Sequence, residues 1–221
     1  MVAVEGEEHL ARALAKGKGV VALSAHLGNF AMIGARVAAA GYPFSVVVKQ
    51  PRDSRLANLI DEYRARVGIK TISARPRRET ARRILRALRQ NEIVLLIADE
   101  FKSAGVRVEF FGRSALAPRG PATLALRTGA AVVPMFVTRG EKDQLTLRIG
   151  PEIDLARTEN PQQDVGTNTA LFTRHLEEMI RRYPDQWNWL GFRKDGKRRR
   201  PRPAVPRADG KEQQDDSPPQ P

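Results

Sequence analysis

This chain predicts an α/β domain, a mostly parallel central sheet flanked by helices, on three observations. Short, continuous apolar runs at residues 20–25, 93–98 and 131–138 read as strands buried on both faces. Amphipathic or Ala-rich stretches of helical length lie between such runs, so strand and helix alternate along the chain. At 221 residues the chain suits one compact domain that buries a full core without disulfide or metal staples.

Each element has a local reason. Residues 7–16 form a short amphipathic helix, which Gly17 and Gly19 end ahead of the first strand at 20–25. Residues 27–40 follow as an Ala-rich helix closed by Gly41, and consecutive valines make 44–49 the second strand. Asp53 or Ser54 caps the next helix, which stops at Gly68 before a brief strand at 69–73. After Pro76 comes an arginine-rich helix whose Ile84, Leu85 and Leu88 make one buried stripe, and then the strand at 93–98. Residues 106–111 read as a strand, 120–128 as a helix with Pro121 in its first turn, and 131–138 as a buried strand. Residues 144–149 and 152–155 are expected to pair at a sheet edge, and 168–183 to form the last helix. The domain so defined spans 1–193. From Lys194 onward apolar residues nearly vanish, and the basic, Pro-rich tail 194–221 is expected to be disordered.

Composition narrows the chemistry. There is no cysteine, which excludes disulfides, zinc–thiolate sites and any thioester formed on the protein itself. Lys and Arg outnumber Asp and Glu by 38 to 25, a net charge of +13 that attracts anionic partners such as phospholipid headgroups, phosphorylated substrates or nucleic acid. The arginine-rich helix and the tail carry much of that charge, and a solvated helix face plus a basic tail accounts for it equally well. No run approaches the roughly 18 apolar residues needed to span a bilayer, and the N-terminus lacks signal-peptide order. Neither a phosphate-cradling loop nor a dinucleotide fingerprint is present.

The segment Ser24-Ala25-His26-Leu27-Gly28-Asn29-Phe30 sets a histidine just past the end of a strand, where open α/β sheets hold their ligands. By position alone, His26 reads either as a reactive base or as a buried structural histidine. His9 in the leader helix and His175 in the last helix read as surface or packing residues.

His26-Leu27-Gly28-Asn29-Phe30 resembles the signature of the late lipid A acyltransferases, a family of the lysophospholipid acyltransferase superfamily, and of their actinobacterial mannosyl-lipid relatives. Four more blocks follow in the family's order: Ile97-Ala98-Asp99-Glu100, Phe110-Phe111-Gly112-Arg113 with Ala117-Pro118-Arg119-Gly120-Pro121-Ala122, the run 124–134, and Gln186-Trp187-Asn188-Trp189. One position departs. The superfamily pattern His-x4-Asp/Glu places a carboxylate five residues after the histidine, where this chain has Ala31. Asp99, with Glu100 second, is expected to stand in, because a strand at 93–98 should end at the same sheet edge as the strand before His26.

What the resemblance implies is transfer of a fatty acyl chain from acyl carrier protein or coenzyme A to a hydroxyl of a lipid A-type glycolipid or related phospholipid. The site is expected peripherally at the cytoplasmic face of the inner membrane, against anionic lipid. His26 would be the base and Asp99 or Glu100 its carboxylate, with no metal and no cofactor beyond the thioester co-substrate. Asn29, Arg64, Arg66, Arg113, Arg119 and Gly120 are the expected substrate-binding positions, the arginines for phosphate and Asn29 either as a donor at the mouth or as a helix cap. Ser24 lacks the nucleophile elbow and reads as structural. Two rivals stand beside this reading: a lipid-binding pseudoenzyme of the same fold, because of Ala31, and a basic nucleic-acid-binding protein, because of the charge. The second has no recognised motif behind it.

Overall fold

The computed structural model describes residues 2–101 and 104–189; the expected tail from 194 lies outside the described residues. In chain order the elements are β1 (Ala3–Glu5), α1 (Glu7–Ala15), β2 (Val20–Ser24), α2 (Ala31–Ala39), β3 (Phe44–Val48), α3 (Ser54–Arg66), β4 (Ile69–Ser73) and α4 (Arg77–Arg89). They continue with β5 (Ile93–Ile97), β6 (Val106–Phe110), β7 (Arg113–Ala117), α5 (Gly120–Thr128), β8 (Ala131–Arg139), β9 (Leu145–Ile149) and α6 (Pro161–Arg182).

Seven strands form one sheet in the order β1-β9-β8-β2-β5-β3-β4. From β8 to β4 every pairing is parallel; β9 runs antiparallel to β8, and β1 pairs parallel with β9. The sheet is buried on both sides, so β2 and β8 are almost wholly apolar. Leu10, Ile33 and Val37 of α1 and α2 cover one face. Ile84 and Leu88 of α4, Ala122 and Ala125 of α5, and Phe172, Leu176 and Ile180 of α6 cover the other. Ile84 and Leu88 are both buried, and each contributes roughly 1.5–3 kcal/mol, which anchors a helix whose outer face is arginine. Asp53 caps α3 by accepting the N–H groups of Arg55 and Leu56, and Arg83 Nη2 donates to the Thr71 carbonyl, tying α4 to β4.

Three expectations are corrected. The helix expected from Leu27 starts at Ala31, because Gly28 takes a left-handed φ of 54° and residues 28 and 29 give their N–H groups to Gln186 and Val137 instead of to a helical turn. Residues 152–155 are not a strand: β1 already occupies the edge of β9, and Ile153 donates to the Val132 carbonyl on its way into the core. The last helix starts at Pro161, not at residue 168, with Asn160 capping the N–H groups of Gln162 and Gln163. The run 106–111, expected as a strand, is one, and it lies outside the central sheet. Its β6 pairs antiparallel with β7 as a separate hairpin that leans on α6, where the Glu177 carboxylate accepts the Phe111 N–H.

Candidate active site

Parallel strands deliver their C-terminal ends to one edge, so the loops after β2, β5 and β8 meet there. β2 and β5 are in register from Val20 opposite Ile93 to Ser24 opposite Ile97, and the Ala98 N–H bonds the Ser24 carbonyl at 2.9 Å. Two residues beyond β2 stands His26; two beyond β5 stands Asp99. Asp99 Oδ1 lies 2.8 Å from His26 Nδ1, and Asp99 Oδ2 accepts the His26 main-chain N–H at 2.8 Å. The same Oδ2 accepts the indole N–H of Trp187, also at 2.8 Å. Asp99 is buried, while the His26 side chain keeps 29% of its surface exposed, so the imidazole bridges a dry carboxylate and an accessible face. The edge of the Phe30 ring meets His26 with centroids 5.1 Å apart.

The loop carrying His26 is pinned from two sides. Gly28 and Asn29 dock on the end of β8 and on the segment after α6, through Gly28 N–H to the Gln186 carbonyl at 2.8 Å and Asn29 N–H to the Val137 carbonyl at 3.1 Å. A Cβ on Gly28 would lie 2.1 Å from the Val137 oxygen, so glycine is required by both its dihedral and its contact. Ser24 is fully buried and its hydroxyl makes no hydrogen bond among the described residues.

The other expected residues are less tightly gathered. Glu100 is exposed next to Asp99, and Ala31 is exposed in the first turn of α2. Asn29 is exposed and does not cap α2: Phe30 holds the cap position without a side-chain bond. Arg119 and Gly120 open α5, which descends from the His26 edge toward β8, and both are exposed. Arg113 begins β7 at the tip of the hairpin. Arg64 pairs with Asp61 within α3 at 3.1 Å, and Arg66 ends that helix three residues before β4, at the strands' opposite edge. Arg66 thus ends α3 just before the start of β4, whereas His26 follows the end of β2. His9 contacts Arg12 and His175 faces Glu178, both remote from this site in α1 and α6.

Sequence reasoning missed Trp187. It was visible only as part of a motif, and nothing in its spacing revealed that its indole reaches across 88 residues to Asp99. Around it gathers an aromatic cluster, with ring centroids 5.7 Å to Phe110, 6.1 Å to Phe111 and 4.6 Å to Trp189. A groove of about 400 Å³ lies elsewhere, between α6 and β6, lined by Glu109, Arg174, Glu177 and Arg181, and includes neither His26 nor Asp99.

A profile of the bacterial lipid A biosynthesis acyltransferases matches residues 1–193, which covers every element just described. The chain belongs to that family. Among curated relatives, a phosphatidylinositol mannoside acyltransferase of Mycolicibacterium smegmatis is 31% identical over 188 residues, 83% of this chain and 59% of the relative. A phosphatidylinositol mannoside acyltransferase of Mycobacterium tuberculosis is 30% identical over 195 residues, 85% of this chain and 58% of the relative. The chain thus spans about three fifths of the length of these relatives. Within the family's frame, the His26 loop, the Asp99 strand end and the Gln186–Trp189 segment are three distant stretches that the fold brings to one point.

Proposed function

We propose that this family member is an O-acyltransferase that moves a fatty acyl chain from a thioester donor to a hydroxyl of a glycolipid. The observation that carries the reading is the contact of His26 Nδ1 with the buried Asp99 carboxylate at 2.8 Å. With Nδ1 turned to Asp99, Nε2 serves as the base. It takes the proton of the acceptor hydroxyl as that oxygen attacks the thioester carbonyl, giving a tetrahedral oxyanion. Collapse breaks the C–S bond and completes the ester, and the departing thiolate takes the proton from the imidazolium. Asp99 holds the ring in one tautomer and stabilises its charge while the proton is there. Asp99 thereby does the work of the carboxylate absent at Ala31, and Glu100 is not needed for it. No acyl-enzyme is required, because the thiolate is already a good leaving group.

The relatives' names support a mannosylated phosphatidylinositol or a similar glycolipid as acceptor. The donor in this proposal is the thioester of acyl carrier protein or coenzyme A. Arg113, Arg119 and Gly120 are assigned to the phosphate of acceptor or donor, and Asn29 to the mouth of the site. A peripheral position on anionic lipid at the cytoplasmic face of the inner membrane is part of the same proposal. No described helix is long and apolar enough to cross a bilayer. Leu56, Leu59 and Tyr63 stand exposed along one side of α3, and Arg55 and Arg66 flank them.

Acyl transfer from labelled donor to glycolipid acceptor, compared between wild type and His26→Ala at equal folded concentration, tests the chemistry. Equal rates contradict His26 as base; activity in neither, across several donors and acceptors, favours the pseudoenzyme that Ala31 suggests. Co-sedimentation with vesicles tests the surface. Binding should favour anionic vesicles and weaken with salt, since exposed charges are screened over roughly 8 Å at physiological ionic strength. Tighter binding to duplex nucleic acid than to anionic lipid contradicts it.

A further inference from the structure

Asp99 sits in a carboxylate cradle with a donor that the base itself does not supply. Of its two oxygens, Oδ1 faces the His26 ring, while Oδ2 accepts both the His26 main-chain N–H and the Trp187 indole N–H, all at 2.8 Å. A carboxylate turns readily about its Cβ–Cγ bond, and the direction of Oδ1 depends on what holds Oδ2. The His26 main-chain bond ties the carboxylate to the same loop that it must orient. Trp187 ties it to a separate part of the molecule.

That part is itself firmly fixed. The segment from Gln186 to Asn188 runs as a strap across the His26 loop: Gly28 N–H donates to the Gln186 carbonyl at 2.8 Å, Asn188 N–H donates to the His26 carbonyl at 3.1 Å, and Leu27 and Trp187 form an isolated bridge. The Gln186 side chain closes the other end, donating to the Arg139 carbonyl at 2.7 Å and accepting the Arg139 N–H at 2.8 Å. Trp187 itself is buried, with Phe110 edge-on to its ring. Its indole therefore has little freedom to follow a rotating carboxylate.

We propose that Trp187 is a positioning residue, its indole N–H locking the Asp99 carboxylate so that Oδ1 stays directed at His26 Nδ1, and that the Gln186–Asn188 strap completes the site by presenting it. The inference rests on the His26–Asp99 reading above, but concerns a residue that touches neither the substrate nor the reacting atoms. A residue present only to fill the core would act through the ring's shape. A positioning residue acts through one N–H, and the two roles separate chemically.

The experiment replaces Trp187 alone with 3-benzothienylalanine, which keeps the bicyclic ring but has sulfur in place of the N–H, and separately with 5-fluorotryptophan, which keeps the donor. Two quantities are read on the full chain: the kcat and KM of acyl transfer, and the His26 Nδ1–H proton resonance in histidine-labelled protein, assigned by its loss in His26→Ala. The benzothienyl protein should lose about tenfold in kcat with KM within about twofold, because only an interaction orienting the base has been removed, and the resonance should shift or broaden. The fluorotryptophan protein should match wild type within about twofold in both. Wild-type kcat and an unchanged resonance in the benzothienyl protein would overturn the proposal and leave Trp187 as packing. Should that protein not fold, naphthylalanine at position 187, also bicyclic and without the N–H, is read the same way, and unfolding of both overturns the proposal and assigns Trp187 to the fold alone. The resonance is independent of turnover: if it responds to loss of the N–H while His26→Ala keeps full activity, the positioning stands and the catalytic reading falls.

Discussion

Two buried carboxylates bracket the same five-residue strand, Glu92 just before β5 and Asp99 just after it, and they are partnered in opposite ways. Glu92 lies at the strands' N-terminal edge, paired with the Lys70 ammonium and accepting the Ser45 hydroxyl at 3.2 Å. Its neighbour is an ammonium group. Asp99, at the C-terminal edge, has among the described residues no lysine or arginine partner; it meets an imidazole and two N–H donors. The first arrangement sets a buried carboxylate against an opposite charge. In the second, the partner is the one side chain that gains and loses a proton near neutrality. Burial alone does not mark a functional carboxylate; the chemistry of its partner does.

The comparison predicts unequal effects. His26→Ala should lower turnover most, by roughly 10²–10⁴-fold, the span that a general base supplies, with the fold retained because the side chain is partly exposed. Steady-state acyl transfer alongside circular dichroism checks both halves. Gly28→Ala acts through the loop. With φ at 54° and the new Cβ meeting the Val137 oxygen at 2.1 Å, either the loop shifts or the strap lifts, and a stability loss of about 2 kcal/mol or more should come with a fall in kcat. Denaturant titration and kinetics on the folded fraction measure the two together.

Glu92→Gln should separate them. Lys70 is largely exposed, so the pair is screened and its loss should cost about 1–3 kcal/mol, mostly from the buried end, while kcat of the folded protein stays within about threefold. A large drop in kcat with unchanged stability would break the contrast between the two ends of β5. Smallest of all should be Ala31→Glu in the otherwise unchanged protein. Since Asp99 already faces Nδ1, turnover should change by no more than about threefold; a gain of more than about tenfold would show that the site lacks a carboxylate after all.

Much of the frame was legible in the sequence because apolar runs carry their own periodicity. β2, β3, β4, β5 and β8 each read as strands, and their parallel pairing followed from the helices between them. The neighbourhood of His26 and Asp99 was readable for the same reason: strands of one parallel sheet end at one edge, so residues 73 apart meet. The irregular parts were not readable. β1 is only three residues long, Ala3–Glu5, too short for a period to show, and it takes the edge that residues 152–155 were expected to fill. The start of α6 was signalled by Asn160 and Pro161, but the polar run that follows hides its buried stripe of Val165, Asn168, Thr169 and Phe172. Arg64 and Arg66 were expected from where related enzymes place such an arginine, and both fall in the last turn of α3, ahead of β4. Trp187 shows the limit most plainly, since its partner is fixed by a hydrogen bond between loops and no pattern of spacing encodes it.

One measurement tests the central claim most directly: turnover of Asp99→Asn and Glu92→Gln, compared side by side at equal folded concentration with the same labelled donor and glycolipid acceptor. Asn keeps the shape of Asp99 but removes the charge that stabilises the imidazolium, so Asp99→Asn should lose roughly 10²-fold or more in kcat in the folded protein, and Glu92→Gln should keep its kcat within about threefold. Full kcat in Asp99→Asn, or equal losses in the two proteins, would contradict the account.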